Sequence, residues 1–306
     1  LLSLLALALL QGIVLNYIGD AARYLSPTPA NIKLRQSIRA DGIKLLQNIH
    51  QSGDYQRVIM VGHSLGSVIA YDLLKHYWQQ VHVDYQKPKK SKQPALNAVE
   101  AAGEALRAAP NANTLEAFRA TQIALWKEQR ALGNPWLVTD LVTIGSPLAH
   151  AALLLAEDGD DLAARQEQRE LPSAPPKAEI EKTSGGEKRR YSFRLWEKLG
   201  QRKDIALRAL HHAALFAETR WTNLYYPAWL GVFGDFVGGA LVPWFGPGVR
   251  DIPVRSRSRL RDRWIASHTA YWKANAAAPQ GKDSPDAYSL TTLISALDLD
   301  NEAYFK

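Results

Sequence analysis

The sequence contains no cysteine and one methionine among its 306 residues. The lack of cysteine excludes a disulfide framework, a thiolate metal site and a cysteine nucleophile, while leaving the compartment open. No basic segment precedes the apolar run at residues 1–10 and no small-residue cleavage site clearly follows it, so a secretory leader is not indicated. Internal repeats are lacking too, which argues against a solenoid or propeller. Charge is not segregated: the formal net charge of +7 is scattered over residues 87–92, 188–190 and 255–263. None of these runs is interleaved with stacking aromatics, so no nucleic-acid partner is expected, while an anionic membrane surface stays open as a partner.

What is present is an ordinary globular composition, long enough for one large core. Residues 1–20 read as an apolar N-terminal helix, either membrane-associated or buried. Gln11 and Asn16 interrupt it, and it is marginal in length for a span. Residues 21–306 read as one α/β domain with helical insertions near 86–132 and 157–200. Apolar spacing at Leu34, Ile38, Leu45 and Ile49 predicts a helix over 32–50, interrupted at Asp41-Gly42. Strands are expected at 57–61, 137–144, 220–225 and 251–255. Helices are expected at 65–80, 95–108, 113–131, 203–217, 264–276 and 285–297. The charged, Pro- and Gly-bearing stretch 157–190 reads as an exposed, mobile insertion.

The most informative segment is Gly62-His63-Ser64-Leu65-Gly66, which joins the first expected strand to the helix at 65–80. Serine becomes a nucleophile only when a base removes its proton and donors stabilise the oxyanion. The G-x-S-x-G spacing suits a sharp strand-to-helix turn in which small residues at minus two and plus two let strand and helix approach. Ser64 is therefore the candidate nucleophile, and the backbone N–H of Leu65 a candidate oxyanion donor.

A base and an acid must follow. His268 comes after the last expected strand, where a loop can carry it over the turn, with His150 the alternative. For the acid, Asp235 stands alone in an apolar stretch where an unpaired carboxylate is costly, and Asp251 is the runner-up.

Residues 57–74 (RVIMVGHSLGSVIAYDLL), 141–148 (LVTIGSPL), 221–239 (WTNLYYPAWLGVFGDFVGG) and 267–272 (SHTAYW) resemble blocks of the α/β-hydrolase superfamily, on its esterase and lipase side. The similarity is greatest to lipase-like hydrolases of bacteria. It implies a mostly parallel sheet flanked by helices, with helical cap insertions. It also implies Ser64 as nucleophile, Asp235 as acid, His268 as base, and ester hydrolysis through an acyl-enzyme with no cofactor or metal. Acyl transfer by the same triad and a non-catalytic, membrane-associated module are the alternatives. Cytoplasmic and membrane-associated locations both fit. No strand is evident before residue 57, so the family's N-terminal strands, and the second oxyanion donor they carry, are expected to be missing from this sequence.

Overall fold

The computed structural model describes residues 19–85, 92–183, 186–195, 207–227, 234–255, 268–272 and 288–304. In chain order, α1 (Gly19–Leu25) and α2 (Pro29–Ser52) lead to β1 (Val58–His63) and α3 (Leu65–Val81). Next come α4 (Pro94–Ala108), α5 (Ala112–Ala131) and β2 (Val138–Ile144). A 3₁₀ turn at Pro147–His150 runs into α6 (Ala151–Leu154), followed by α7 (Gly159–Glu167). The strands β3 (Glu179–Thr183) and β4 (Gly186–Arg190) form one antiparallel pair, β5 (Ser192–Arg194) and β6 (Arg208–Leu210) another. β7 (Arg220–Tyr225), α8 (Val242–Phe245), β8 (Val249–Pro253) and α9 (Ser289–Leu297) complete the order.

The chain is an α/β protein with a four-stranded parallel sheet, ordered β1-β2-β7-β8 and flanked by helices. Val61, Val142, Thr222 and Arg250 lie in one row across it. Every residue of β2 is buried, as expected of a central parallel strand covered on both faces, and its apolar, β-branched composition suits that place. On one face Leu141 and Trp221 pack with α3, where Tyr71, Phe216 and Phe245 ring Trp221 at centroid distances of 5.5, 4.6 and 4.8 Å. On the other, Val142, Ile144 and Leu224 pack against Tyr271 and Leu293 of α9.

All four expected strands are present, with ends displaced by one or two residues. Other expectations need correction. Residues 207–217, expected as the end of a helix, form β6 and a 3₁₀ turn at Leu215–Ala217. The backbone of His211 is taken by tertiary partners, its N–H donating to Tyr191 O and its carbonyl accepting from Trp78 Nε1. The helix α2 runs unbroken through Asp41-Gly42, because Gly42 lets Leu73 of α3 sit where a Cβ would be. Its buried side is that of Leu46, while Leu34 and Leu45 of the expected stripe are about 60% exposed.

The 157–190 stretch is anchored rather than freely exposed. Asp158 caps α7, and residues 171–176 are buried, Ala174 exchanging backbone bonds with Phe245 and Gly248. The 86–132 segment, expected as part of a cap, places α5 against β7. There Arg119 donates to Trp221 O and Thr222 Oγ1, and Gln122 to Phe216 O and Thr219 O. The apolar segment 1–18 and most of the helix expected at 264–276 lie outside the described residues. Among those described, no helix is long and apolar enough to cross a membrane.

Candidate active site

Ser64 sits between β1 and α3 with φ 52° and ψ −130°, in a region that non-glycine residues rarely occupy. Three contacts hold it there. Its N–H extends the ladder by donating to Ile144 O at 3.0 Å. Its carbonyl accepts from the Ser67 N–H at 2.9 Å and from the Ser67 hydroxyl at 2.6 Å. Ser67 Oγ in turn lies 2.6 Å from Ser146 Oγ, which accepts from the Leu148 N–H, so a buried hydroxyl chain ties the turn to the end of β2. The two glycines of the motif are not equivalent. A Cβ on Gly62 would stand 2.6 Å from Gly66 O and Ser67 Cα, whereas one on Gly66 would meet nothing within 4 Å. Close approach of strand and helix thus explains Gly62 and leaves Gly66 without that reason.

The structure brings Ser64, His268 and Asp235 together. His268 is 2% exposed and Asp235 is 1% exposed, although 33 residues separate them. Nδ1 of His268 lies 3.0 Å from both carboxylate oxygens of Asp235. An ionised carboxylate only accepts, so Nδ1 carries the proton and Nε2 is left to accept from Ser64 Oγ at 2.9 Å.

Asp235 is further held by the N–H groups of Val237 and Gly238 and by the Tyr271 hydroxyl at 2.7 Å. Burial pushes this carboxyl up. The bonds and charge of His268, the Gly238 amide and the Tyr271 hydroxyl outweigh that and hold it below the ordinary aspartate value. Backbone comes very close here: a Cβ on Gly238 would lie 2.7 Å from Asp235 Oδ2. One on Gly145, whose φ is +53°, would lie 2.9 Å from the same oxygen and 3.2 Å from His268 Nδ1.

Two neighbours escape sequence reasoning. Tyr271, 1% exposed, bonds Asp235 while accepting from the Tyr226 N–H at 3.0 Å. Burial, then the nearby Asp235 charge, push its hydroxyl well above the usual tyrosine range, so it stays a donor. His63, which its place inside the turn itself sets aside as a base, stacks on His268 with centroids 5.1 Å apart, and its Nε2 donates to His268 O at 3.1 Å. Burial lowers its basicity. The one signal available was the spacing His268-x-x-Tyr271, too common to single out.

The alternatives are placed elsewhere. His150 bonds Phe236 O through Nε2 at 2.8 Å. Asp251 accepts from the amides of Leu241 and Val242 and from Asn223, holding the segment that follows Asp235. Leu65 opens α3, so its N–H lies at the helix N-terminus beside Ser64. Residues 228–233, which precede Asp235, lie outside the described residues. Among those described, no group of three or more His, Asp or Glu is arranged to hold a metal ion. No family model, curated protein or solved structure matches this chain.

Proposed function

We propose that this protein is a serine hydrolase of the α/β-hydrolase type that cleaves a carboxylic ester through an acyl-enzyme on Ser64. The observation that carries the reading is the continuous line from Ser64 Oγ to His268 Nε2 at 2.9 Å and from His268 Nδ1 to Asp235 at 3.0 Å. The chain order Ser, Asp, His and the strand–turn–helix at Ser64 support the hydrolase type of the fold.

Each group has one task in the reaction. As Ser64 Oγ attacks the ester carbonyl, His268 Nε2 takes its proton, and Asp235 stabilises the resulting imidazolium without accepting the proton itself. The carbonyl oxygen becomes an oxyanion, for which the Leu65 N–H is a donor aided by the dipole of α3. Collapse breaks the ester C–O bond, and His268 returns the proton to the leaving alcohol. Water then repeats the sequence at the acyl-enzyme, releasing the acid and restoring Ser64. The strained backbone at Ser64 presents the hydroxyl for attack, and the hydroxyl chain through Ser67 and Ser146 keeps that strain in place.

The test is labelling with a fluorophosphonate probe in the wild type and in Ser64→Ala. Time-dependent labelling of the wild type alone is expected, with release of acid from a short p-nitrophenyl ester. Equal labelling of both proteins would sink the assignment.

A further inference from the structure

A cavity of about 390 Å³ lies between α5, α9 and the sheet, within the range of small-molecule sites. Its arginine-lined end lies at the start of the strands: Arg220 is the first residue of β7, level with Asp140 and Ile59, and Ser64 follows β1 five residues beyond that row. At strand rise Arg220 is about 17 Å from the level of Ser64 along the sheet, so the arginine-lined cavity is separate from the candidate active site.

Three guanidinium groups line it, those of Arg119, Arg220 and Arg250. Arg220 is matched by carboxylates, with Asp140 at 2.8 Å and Asp298 at 3.1 Å, and Arg250 is paired with Glu116. Asp140 is also shared with Arg57 at 2.8 Å. Among the described residues, no carboxylate lies within ion-pair distance of Arg119. It is 5% exposed, and its bonds go to two neutral oxygens, Trp221 O at 3.3 Å and Thr222 Oγ1 at 3.2 Å. Burial, and then the neighbouring Arg220, press its guanidinium down to about 10 against the opposing charges of the more distant Asp140 and Asp298. Among the described residues, Arg57, Arg119, Arg220 and Arg250 thus share three close carboxylates at and beside the cavity, and the arginine without an ion pair is a buried one. A buried cation without a directly paired carboxylate is costly, and an anion entering the cavity would supply the close partner.

We propose that this cavity binds the phosphate group of a small molecule, at a site distinct from Ser64. Guanidinium groups match phosphate oxygens through paired N–H donors. Hydroxyls of Thr222, Thr292 and Ser295 also line the cavity, giving more donors than the two oxygens of a carboxylate can accept. Glu116, about 60% exposed at its side chain, is the competing anion and is free to turn outward to solvent as Arg250 exchanges it for phosphate.

Calorimetric titration with inorganic phosphate, at ionic strength held constant with sodium chloride, tests this. Saturable one-to-one binding is expected. Arg250→Gln should weaken it about tenfold, and Glu116→Gln should tighten it several-fold by removing the competitor. Neither variant touches the core, so folding is not at stake. Ser64→Ala should bind as the wild type does, which separates this site from the oxyanion position and from the fate of the hydrolase reading. Absence of binding above the chloride control would overturn the proposal, as would affinities unchanged in both cavity variants or lost in Ser64→Ala. Tighter binding of acetate than of phosphate would overturn the choice of phosphate.

Discussion

The Tyr271 hydroxyl donates to Oδ2 of Asp235 at 2.7 Å while accepting the Tyr226 amide at 3.0 Å, so the acid of the proposed triad is oriented from both sides. His268 takes one flank of the carboxylate, Tyr271 and the amides of Val237 and Gly238 the other. Tyr271 touches no reacting atom in the proposed mechanism. It is a positioning residue.

Tyr271→Phe removes the donor and keeps the packing of the ring. Deprived of that bond, Asp235 becomes more basic and stabilises the His268 imidazolium more strongly. The acid limb of the kcat/KM profile should then move to higher pH, with the plateau lowered about tenfold. An unmoved limb and an unchanged plateau would assign Tyr271 to packing alone, since the ring is kept in this variant.

A second prediction concerns stability. The Asp140 carboxylate lies between Arg57 and Arg220, at 2.8 Å from each, and Tyr304 lies beneath both guanidiniums at 4.3 and 5.2 Å. This cluster joins β1, β2 and β7 to the chain end beyond α9. Asp140→Asn leaves two buried cations undercompensated, and a loss of about 3 kcal/mol in urea unfolding is expected. Probe labelling below the transition should persist, since Asp140 is remote from Ser64 along the strand. A loss under about 1 kcal/mol would mean that Asp298 and the neighbouring carbonyls suffice.

Such clusters mark the limit of what the sequence reveals. The four strands were legible because buried parallel strands are short β-branched runs with sharp ends. Ser64 was legible because its turn has a local signature. Asp235 and His268 could be named because an isolated acid and a histidine after the last strand are few in number. The Arg57–Asp140–Arg220 pairing spans 163 residues and leaves no local trace. The orientation of α2 failed for a similar reason. Its apolar stripe predicts Leu34 and Leu45 inside, but a two-point bond from Arg39 to Asp72, joined by the Tyr24 hydroxyl, turns the side of Arg39, Gly42 and Leu46 toward α3.

Glu218 supplies a third prediction, with a defined pH course. Its carboxyl is fully buried, and neither oxygen has a hydrogen-bond partner among the described residues. Burial pushes it well above the ordinary glutamate value, with Arg130 opposing weakly. The folded state therefore holds this proton more tightly than the unfolded chain does. Its contribution is fully present below about pH 4.3, the unfolded value, and declines as pH rises toward the folded value. Glu218→Gln should leave stability nearly unchanged at pH 4 and raise it by about 1–2 kcal/mol at pH 8. Urea unfolding at both pH values measures this, and an equal effect at both would refute it.

Gly145 lies outside the G-x-S-x-G motif and Gly66 within it, yet the motif glycine is the one expected to tolerate a side chain. Gly145, after β2, has φ +53°, and a Cβ there would press on Tyr271 at 2.8 Å, Asp235 at 2.9 Å and His268 at 3.2 Å. Ala at this position must either shift the backbone or push the acid and base apart. Misplacement of this size is expected to slow probe labelling about a hundredfold while far-UV circular dichroism stays native. Gly66 belongs to the G-x-S-x-G pattern, yet its Cβ direction is open and it lies in the first turn of α3. Gly66→Ala should therefore label at close to the wild-type rate and be slightly more stable, since alanine is the better helix former. The reverse outcome, with Gly66→Ala inactive and Gly145→Ala unimpaired, would show that the turn at Ser64, and not the packing of Asp235 and His268 against Gly145, sets the reactivity of the serine.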